Sequence, residues 1–256
     1  MNGAAAGLEA WAEALRARHT EALTFTEIRK GVVALSRIYV EERNRIANSV
    51  FDGAGKRAAF ACFYSPLHYL LVRNIVVALG AQTPPPSRII DLGCGLMAGG
   101  GAWAHASGSQ SKLVGIDKSA WAVSEARDHL KHLGLRGKLL HQRIDKAPMP
   151  TRGEALVAAF AVNELSDDLR GRLLRRLLES THRDASVLII EPIARRANRW
   201  WMEWSGVFDA RGGRTDEWRF PVELPSFVAE LDRASGLNHQ ELSGRSIFFS
   251  PQRGSS

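Results

Sequence analysis

The chain is poor in cysteine, with two in 256 residues. Cys62 and Cys94 stand far apart, form no CxxC pair and fit no metal spacing. That excludes a disulfide framework and a zinc or cluster site, and points to a reducing cytoplasm with no metal cofactor. The stretch MNGAAAGLEAWAEALRARH has no basic start followed by an apolar block, so it does not read as a secretory leader. No apolar run is long enough for a bilayer. The strongest, HYLLVRNIVVALG, is broken by Arg73 and Asn74 and reads as a buried helix. Charge of one sign is in modest excess at +7. It is spread out: residues 1–87 carry 10 basic and 7 acidic side chains, residues 88–184 carry 15 and 11, and the remainder 9 and 9. This balance allows a polyanionic partner without requiring one.

What is present falls into two parts. Residues 1–82 have helical periodicity and no strand pattern. Leu8, Trp11 and Leu15 share one face, and Thr24 with Glu27 has capping-box spacing ahead of TEIRKGVVALSRIYVEER. RAAFACFYSPLHYLLVRNIVVAL is a third helical stretch, with an interruption expected at Pro66. TPPPS, residues 83–87, is a stiff linker. Residues 88–256 then form a second domain. Five short apolar runs begin at residues 88, 112, 138, 155 and 185, mostly separated by amphipathic helical segments. Strand alternating with helix implies a parallel sheet covered on both faces. KAPMPTRGE, between the third and fourth strands, is too short for a helix. LPSFVAELDRASG reads as a last helix, and LNHQELS and RSIFFSP, joined at Gly244, as a terminal hairpin.

RIIDLGCGLMAGGGAWA carries the first functional signal. A strand runs into Asp91, Gly93 and Gly95, a turn that lets a ligand approach the backbone. The third glycine of a dinucleotide fingerprint is replaced by Leu96 and Met97, and glycine returns only at Gly99, Gly100 and Gly101. Asp91 at the strand's carboxyl end is unhelpful beside phosphates and suits a cationic amino-acid group. Asp117, ending the second strand 22 residues after Gly95, has the position of an acid that bonds ribose hydroxyls. Asp145 ends the third strand, where it could accept from an adenine amino group. Together they describe adenosine joined to a charged amino acid with no phosphate: S-adenosylmethionine.

On DLGCG, GID and RID, residues 88–250 resemble the class I S-adenosylmethionine-dependent methyltransferases. The resemblance implies an α/β, Rossmann-like seven-stranded sheet in the order 3-2-1-4-5-7-6 behind the N-terminal helical domain. It also implies a cofactor shell of Asp91, Gly93, Cys94, Gly95, Asp117, Lys118, Ile144, Asp145 and Asn163. Cys94 reads as a small packing residue there, not as a nucleophile. Asn163 and Glu164, after the fourth strand, are the catalytic candidates, to orient the acceptor or accept its proton. Alternatively both satisfy the turn into a helix capped by Ser166. No NPPY or DPPY tetrad and no Pro-Cys pair follows that strand. Exocyclic amino methylation and pyrimidine C5 methylation are therefore disfavoured, leaving an oxygen or ring nitrogen.

For the acceptor, VNELSDDLRGRLLRRLL with LIIEPIARR is similar to methyltransferase-like proteins of the small ribosomal subunit, and CGLMAGGGAW to aminoglycoside-resistance rRNA methyltransferases. That resemblance implies RNA as partner. Arg195, Arg196, Arg199, Trp200, Trp201 and Trp204 are the candidate acceptor-binding residues, stacking bases and contacting phosphates. Alternatively Trp200 and Trp204, four apart, are one buried helix face with the arginines solvating the other, or the segment is a lid over a small-molecule acceptor with the tryptophans as walls. Arg170, Arg172, Arg175 and Arg176 read as a solvated helix face. A non-catalytic assembly factor that retained the fold is a further alternative.

Overall fold

The computed structural model describes residues 2–41, 51–193 and 199–251. Helices α1 (Asn2–Thr20) and α2 (Phe25–Glu41) open the chain. The capping box forms as expected: the Thr24 N–H donates to Glu27 Oε2 at 2.8 Å, and the Glu27 N–H to Thr24 Oγ1 at 3.3 Å. Helix α3 runs from Ala54 to Ala78 without breaking at Pro66. A π turn over Phe60–Tyr64, in which the Ser65 N–H donates to the Phe60 carbonyl, precedes the proline and widens the ladder where its ring would clash. By length and composition alone α3 could cross a bilayer, but 67% of its apolar window is buried within the chain, as in a core helix.

The remaining elements are β1 (Arg88–Leu92), α4 (Ala98–Ala106), β2 (Lys112–Asp117), α5 (Ala120–His132), β3 (Gly137–His141), β4 (Ala155–Ala159), α6 (Asp167–Thr181), β5 (Ser186–Glu191), α7 (Arg199–Asp209), β6 (Arg214–Pro221), α8 (Ser226–Ala234) and β7 (Glu241–Phe249). They build one seven-stranded sheet in the order β3-β2-β1-β4-β5-β7-β6. The first five strands are parallel, and β7 is antiparallel to both β5 and β6. Chain order reverses between β1 and β4, so a crevice opens beyond their carboxyl ends, where open α/β sheets bind ligands.

The two-residue period of the strands divides the core. Ile89, Val157, Leu188 and Ile190 point to one face, covered by α1 to α5 and α8. Ile90, Leu92, Leu156 and Ile189 point to the other, covered by α6 and α7. The N-terminal helices share the first of these cores. Trp11 is fully buried, its ring 5.3 Å from that of Tyr69, and Arg18 forms an ion pair with Glu125 of α5 at 2.7 Å.

The expected terminal hairpin is not formed. Glu241–Phe249 is one uninterrupted strand, and Gly244 lies within it because a Cβ there would meet Leu71 Cδ2 at 3.0 Å. The partner of β7 is Arg214–Pro221, paired from Arg214↔Phe248 to Pro221↔Glu241. Its alternating exposed and half-buried side chains are those of a sheet edge wetted on one side.

Candidate functional site

The glycine run after β1 is explained by Asp91. This carboxylate is 2% exposed and lies against the first turn of α4, where it accepts the Gly100 N–H at 2.6 Å. A Cβ on Gly99 or Gly100 would stand 3.2 or 3.1 Å from Asp91 Oδ2, so the close approach needs glycine there. The positive end of the helix favours an anion at this point. Even so, burial pushes the Asp91 carboxyl up to about 7, with the Asp117 charge adding to the effect and the Gly100 bond opposing it. Among the described residues no basic side chain pairs with it. A buried carboxylate without a cation, facing a cleft, suits a cationic ligand and repels a phosphate.

Met97, where the fingerprint departs from the dinucleotide pattern, takes a left-handed conformation with φ 65° and is fully buried. Its sulfur fills the space beside Gly115 of β2, where a Cβ would meet it at 2.3 Å. It packs beneath the turn and leaves the cleft open.

Asp117, at the end of β2, ties the turn together: Oδ2 accepts the Gly95 N–H at 2.9 Å and Oδ1 the Ser119 N–H at 2.8 Å. Each oxygen keeps a lone pair for a further donor. Ile144 and Asp145 lie in a short 3₁₀ turn after β3, and Arg143 pairs with Asp145 at 3.0 Å. Asp91, Gly93, Cys94, Gly95, Asp117, Lys118, Ile144 and Asp145 all line one cleft of about 1530 Å³. Cys94 is buried and its thiol is pushed well above its ordinary value by burial, which makes it an inert packing residue.

Asn163 and Glu164, in the 3₁₀ turn after β4, line the same cleft but differ in character. The Asn163 amide is held at both ends: Nδ2 donates to Glu191 Oε2 at 2.6 Å, and Oδ1 accepts from Trp200 Nε1 at 3.1 Å. Its place is that of a clamp between β4, β5 and α7. The side chain of Glu164 is 29% exposed and has Lys118 Nζ at 3.9 Å. Burial raises its carboxyl to about 7, Lys118 pulls it down and Asp117 pushes it up.

Glu191 was not signalled as a site residue, although it ends β5 as Asp91 and Asp117 end or nearly end β1 and β2. It is 1% exposed, accepts the Val162 and Asn163 N–H groups at 2.9 and 3.0 Å besides the Asn163 side chain, and sits opposite Arg245 in the β5–β7 pairing. Burial raises it to about 7 against these donors. The other unsignalled part is the wall from the N-terminal helices, where Tyr39, Phe60, Tyr64 and His68 line the cleft opposite Phe160.

The acceptor segment needs correction. Arg195 and Arg196 lie outside the described residues. Trp201 is 4% exposed with Arg245 over its ring at 4.0 Å, and it cannot stack a base there. Trp204 is 2% exposed and packs in the core beneath the sheet. Arg199, Trp200 and, from within the core, Trp204 do line the cleft. Arg176 is not solvated either: it donates to the Ile144, Asp145 and Ala147 carbonyls, bracing the turn that carries Asp145.

Residues 89–184 match the family model described as a methyltransferase domain. No curated protein matches the chain. Among solved structures, the mitomycin 7-O-methyltransferase MmcR is similar over 98% of this chain and 76% of its own, at 14% identity and a TM-score of 0.52. The magnesium protoporphyrin IX methyltransferase ChlM from Synechocystis PCC 6803, solved with S-adenosylmethionine bound, is similar over 88% of this chain and 98% of its own, at 12% identity and a TM-score of 0.48. The methyltransferase domain of bacterial CtHen1 is similar over 73% and 100%, at 16% identity and a TM-score of 0.49. With the strand order, the glycine turn and its acids in place, residues 89–184 match a methyltransferase domain, and the sheet has the fold of the class I, S-adenosylmethionine-dependent methyltransferases.

Proposed function

We propose that the chain methylates an oxygen or ring nitrogen of a small, ring-containing acceptor held between the sheet edge and the N-terminal helices. The cofactor supplies an activated methyl group on a sulfonium centre. In this reading Asp91 takes its ammonium group, Asp117 its ribose hydroxyls, and Ile144 with Asp145 its adenine. Gly93 and Gly95 let the backbone come close, and Glu164 orients the acceptor. The helices of residues 1–82 act as the acceptor-binding roof.

One observation carries the choice of a small acceptor over RNA. The arginines lining the cleft are largely committed to the chain itself. Arg143 pairs with Asp145, Arg170 with Asp167 and the Leu165 carbonyl, Arg172 with Asp168, and Arg176 with three carbonyls. The carboxylates of Asp91, Asp117, Glu164 and Glu191 face the same space, as do the rings of Tyr39, Tyr64, His68 and Phe160. A phosphate backbone would be repelled, whereas a planar uncharged or cationic ring would be accommodated.

The test is transfer of tritium-labelled methyl from S-adenosylmethionine to ribosomal subunits and, separately, to the low-molecular-weight fraction of an extract of the source cells. Label in the small fraction is expected. Label confined to RNA, together with an RNA affinity that falls steeply with salt, overturns the proposal in favour of the ribosomal reading.

A further inference from the structure

We propose that His68 is the acceptor-side catalytic residue, hydrogen-bonding the reacting O–H or N–H group and receiving its proton. The inference rests on the small-acceptor reading above and names the contact that reading lacks. Phe60, Tyr64 and His68 recur every four residues along α3. In an α-helix four residues overshoot one turn by about 40°, so three such side chains would drift around the axis. The π turn at Phe60–Tyr64 is wound more loosely and takes up that drift. The rings therefore follow one another down one face, with Phe60 and Tyr64 at 6.0 and 6.3 Å from His68.

Contacts on both sides fix where His68 stands. Phe60 covers the cofactor turn, since a Cβ on Gly95 would lie 3.3 Å from its ring. On the opposite side the His68 ring stacks on Phe160, centroids 4.0 Å apart and planes 24° apart. Phe160 holds a left-handed backbone, φ 59°, a strained conformation for a bulky residue and one that clusters at functional sites. The next residue, Ala161, lies against the other glycine of the turn, its Cβ 2.6 Å from where a Cβ on Gly93 would stand. His68 is thus bracketed between a ring resting on Gly95 and a residue adjoining Gly93, at the junction of the cofactor turn and the aromatic roof.

Its nitrogens set it apart from the other buried or half-buried histidines. His19 is held beside Glu125 at 3.2 Å, His105 is fixed between the Tyr69 hydroxyl and the Leu133 carbonyl, and His239 sits on Asp232. His129, also without hydrogen bonds, lies in the core away from the cleft. Among the described residues neither imidazole nitrogen of His68 has a hydrogen-bond partner, and the side chain lines the cleft. Burial holds the imidazole down at about 3, so it is neutral and able to accept a hydrogen bond throughout the working range. In the transfer, a lone pair of the acceptor oxygen or nitrogen bonds the methyl carbon and the carbon–sulfur pair stays on sulfur. Methylation leaves the acceptor cationic and strongly acidic, and its proton then passes to the neutral His68 imidazole and from there to solvent in the cleft.

Two variants test this. His68→Phe keeps the stacked ring and removes the nitrogens; His68→Gln restores a neutral hydrogen-bonding group. S-Adenosylmethionine affinity by calorimetry is expected to be unchanged in both. With the labelled small acceptor isolated from the extract, His68→Phe should lose at least about 100-fold in kcat, within the range for removing a general base. His68→Gln should recover acceptor KM but not kcat. Independently of turnover, carbethoxylation of His68 by diethyl pyrocarbonate, read by peptide mass, should be slowed by that acceptor. A kcat for His68→Phe within threefold of the parent, or no protection by saturating acceptor, overturns the role of His68 and leaves the small-acceptor reading standing. Absence of any labelled small molecule with the parent protein overturns that reading and this inference with it. Should His68→Phe fail to fold, His68→Gln and the protection measurement decide alone.

Discussion

Replacing Asp91 with asparagine should abolish a pH dependence that the wild-type site cannot avoid. In the ligand-free protein burial holds this carboxyl up to about 7, and a cationic ammonium group binds only its ionised form. Below that pH, binding must first remove a proton. Cofactor affinity is therefore expected to rise by up to tenfold per pH unit, about 1.4 kcal/mol, from pH 5.5 to about 7 and then to level off. The measurement stops at pH 7.5, since the ligand's own amino group titrates just above. The sign for folding is opposite. The folded-state value lies above the ordinary 3.8, so between roughly pH 4 and 7 the native chain holds a proton that the unfolded chain has released. Ligand-free stability falls as pH rises through that window. Asparagine can still accept the Gly100 N–H, so α4 should remain in place. At pH 7.5 the variant should bind about 1.5–3 kcal/mol more weakly, or roughly 10- to 150-fold, the loss of one charge-assisted hydrogen bond. At pH 5.5 the gap should nearly close. Calorimetry in buffers of different ionisation enthalpy should find about one proton released per cofactor at pH 6 with wild type and none with the variant. Parallel pH slopes for the two proteins would show that Asp91 does not face the cation.

Glu191→Gln leaves one acceptor oxygen where three N–H groups converge and removes the charge opposite Arg245. We expect a loss of about 2–4 kcal/mol in urea unfolding, and an unchanged midpoint would refute the clamp. Gly115→Ala drives a methyl group into Met97, Leu139 and Cys94, at 2.3, 2.8 and 2.9 Å. It should cost about 1–3 kcal/mol and weaken cofactor binding by displacing the turn, whereas full affinity would mean that Met97 does not support it. Glu164→Gln should raise acceptor KM about tenfold, the worth of one charged hydrogen bond, with cofactor affinity intact. Weaker cofactor binding instead would move Glu164 to the cofactor side.

The parts of the site legible in the sequence are those where a local rule and a chemical requirement coincide. Asp91, Asp117 and the glycine turn could be read because strand ends, acids and glycines sit within a few residues of one another. The strand order followed from the family resemblance. β6 was missed because RTDEWRFP is a sheet edge, wetted on one side, and its charges resemble those of a loop. The tryptophan-rich stretch before it allowed either an acceptor surface or a buried helix face, and Trp201 and Trp204 are drawn into the core by the apolar face of α7. Gly244 looked like a hairpin turn, but its lack of a side chain serves the passage of Leu71. Glu191 could have been found by the rule that selected the other strand-end acids. His68 could not, because its position depends on a π turn and on Phe160, 92 residues further along. The arginines of α6 show the same limit: Arg176 has the spacing of a solvated face, and only the folded chain shows which carbonyls it reaches.

A crystal structure of the protein soaked with S-adenosylmethionine would weigh most heavily on the central claim. The ammonium group should lie within hydrogen-bond distance of Asp91, with both ribose hydroxyls on Asp117, which keeps its bonds to Gly95 and Ser119. Adenosine bound elsewhere, or a ligand whose cationic end points away from Asp91, would contradict the account.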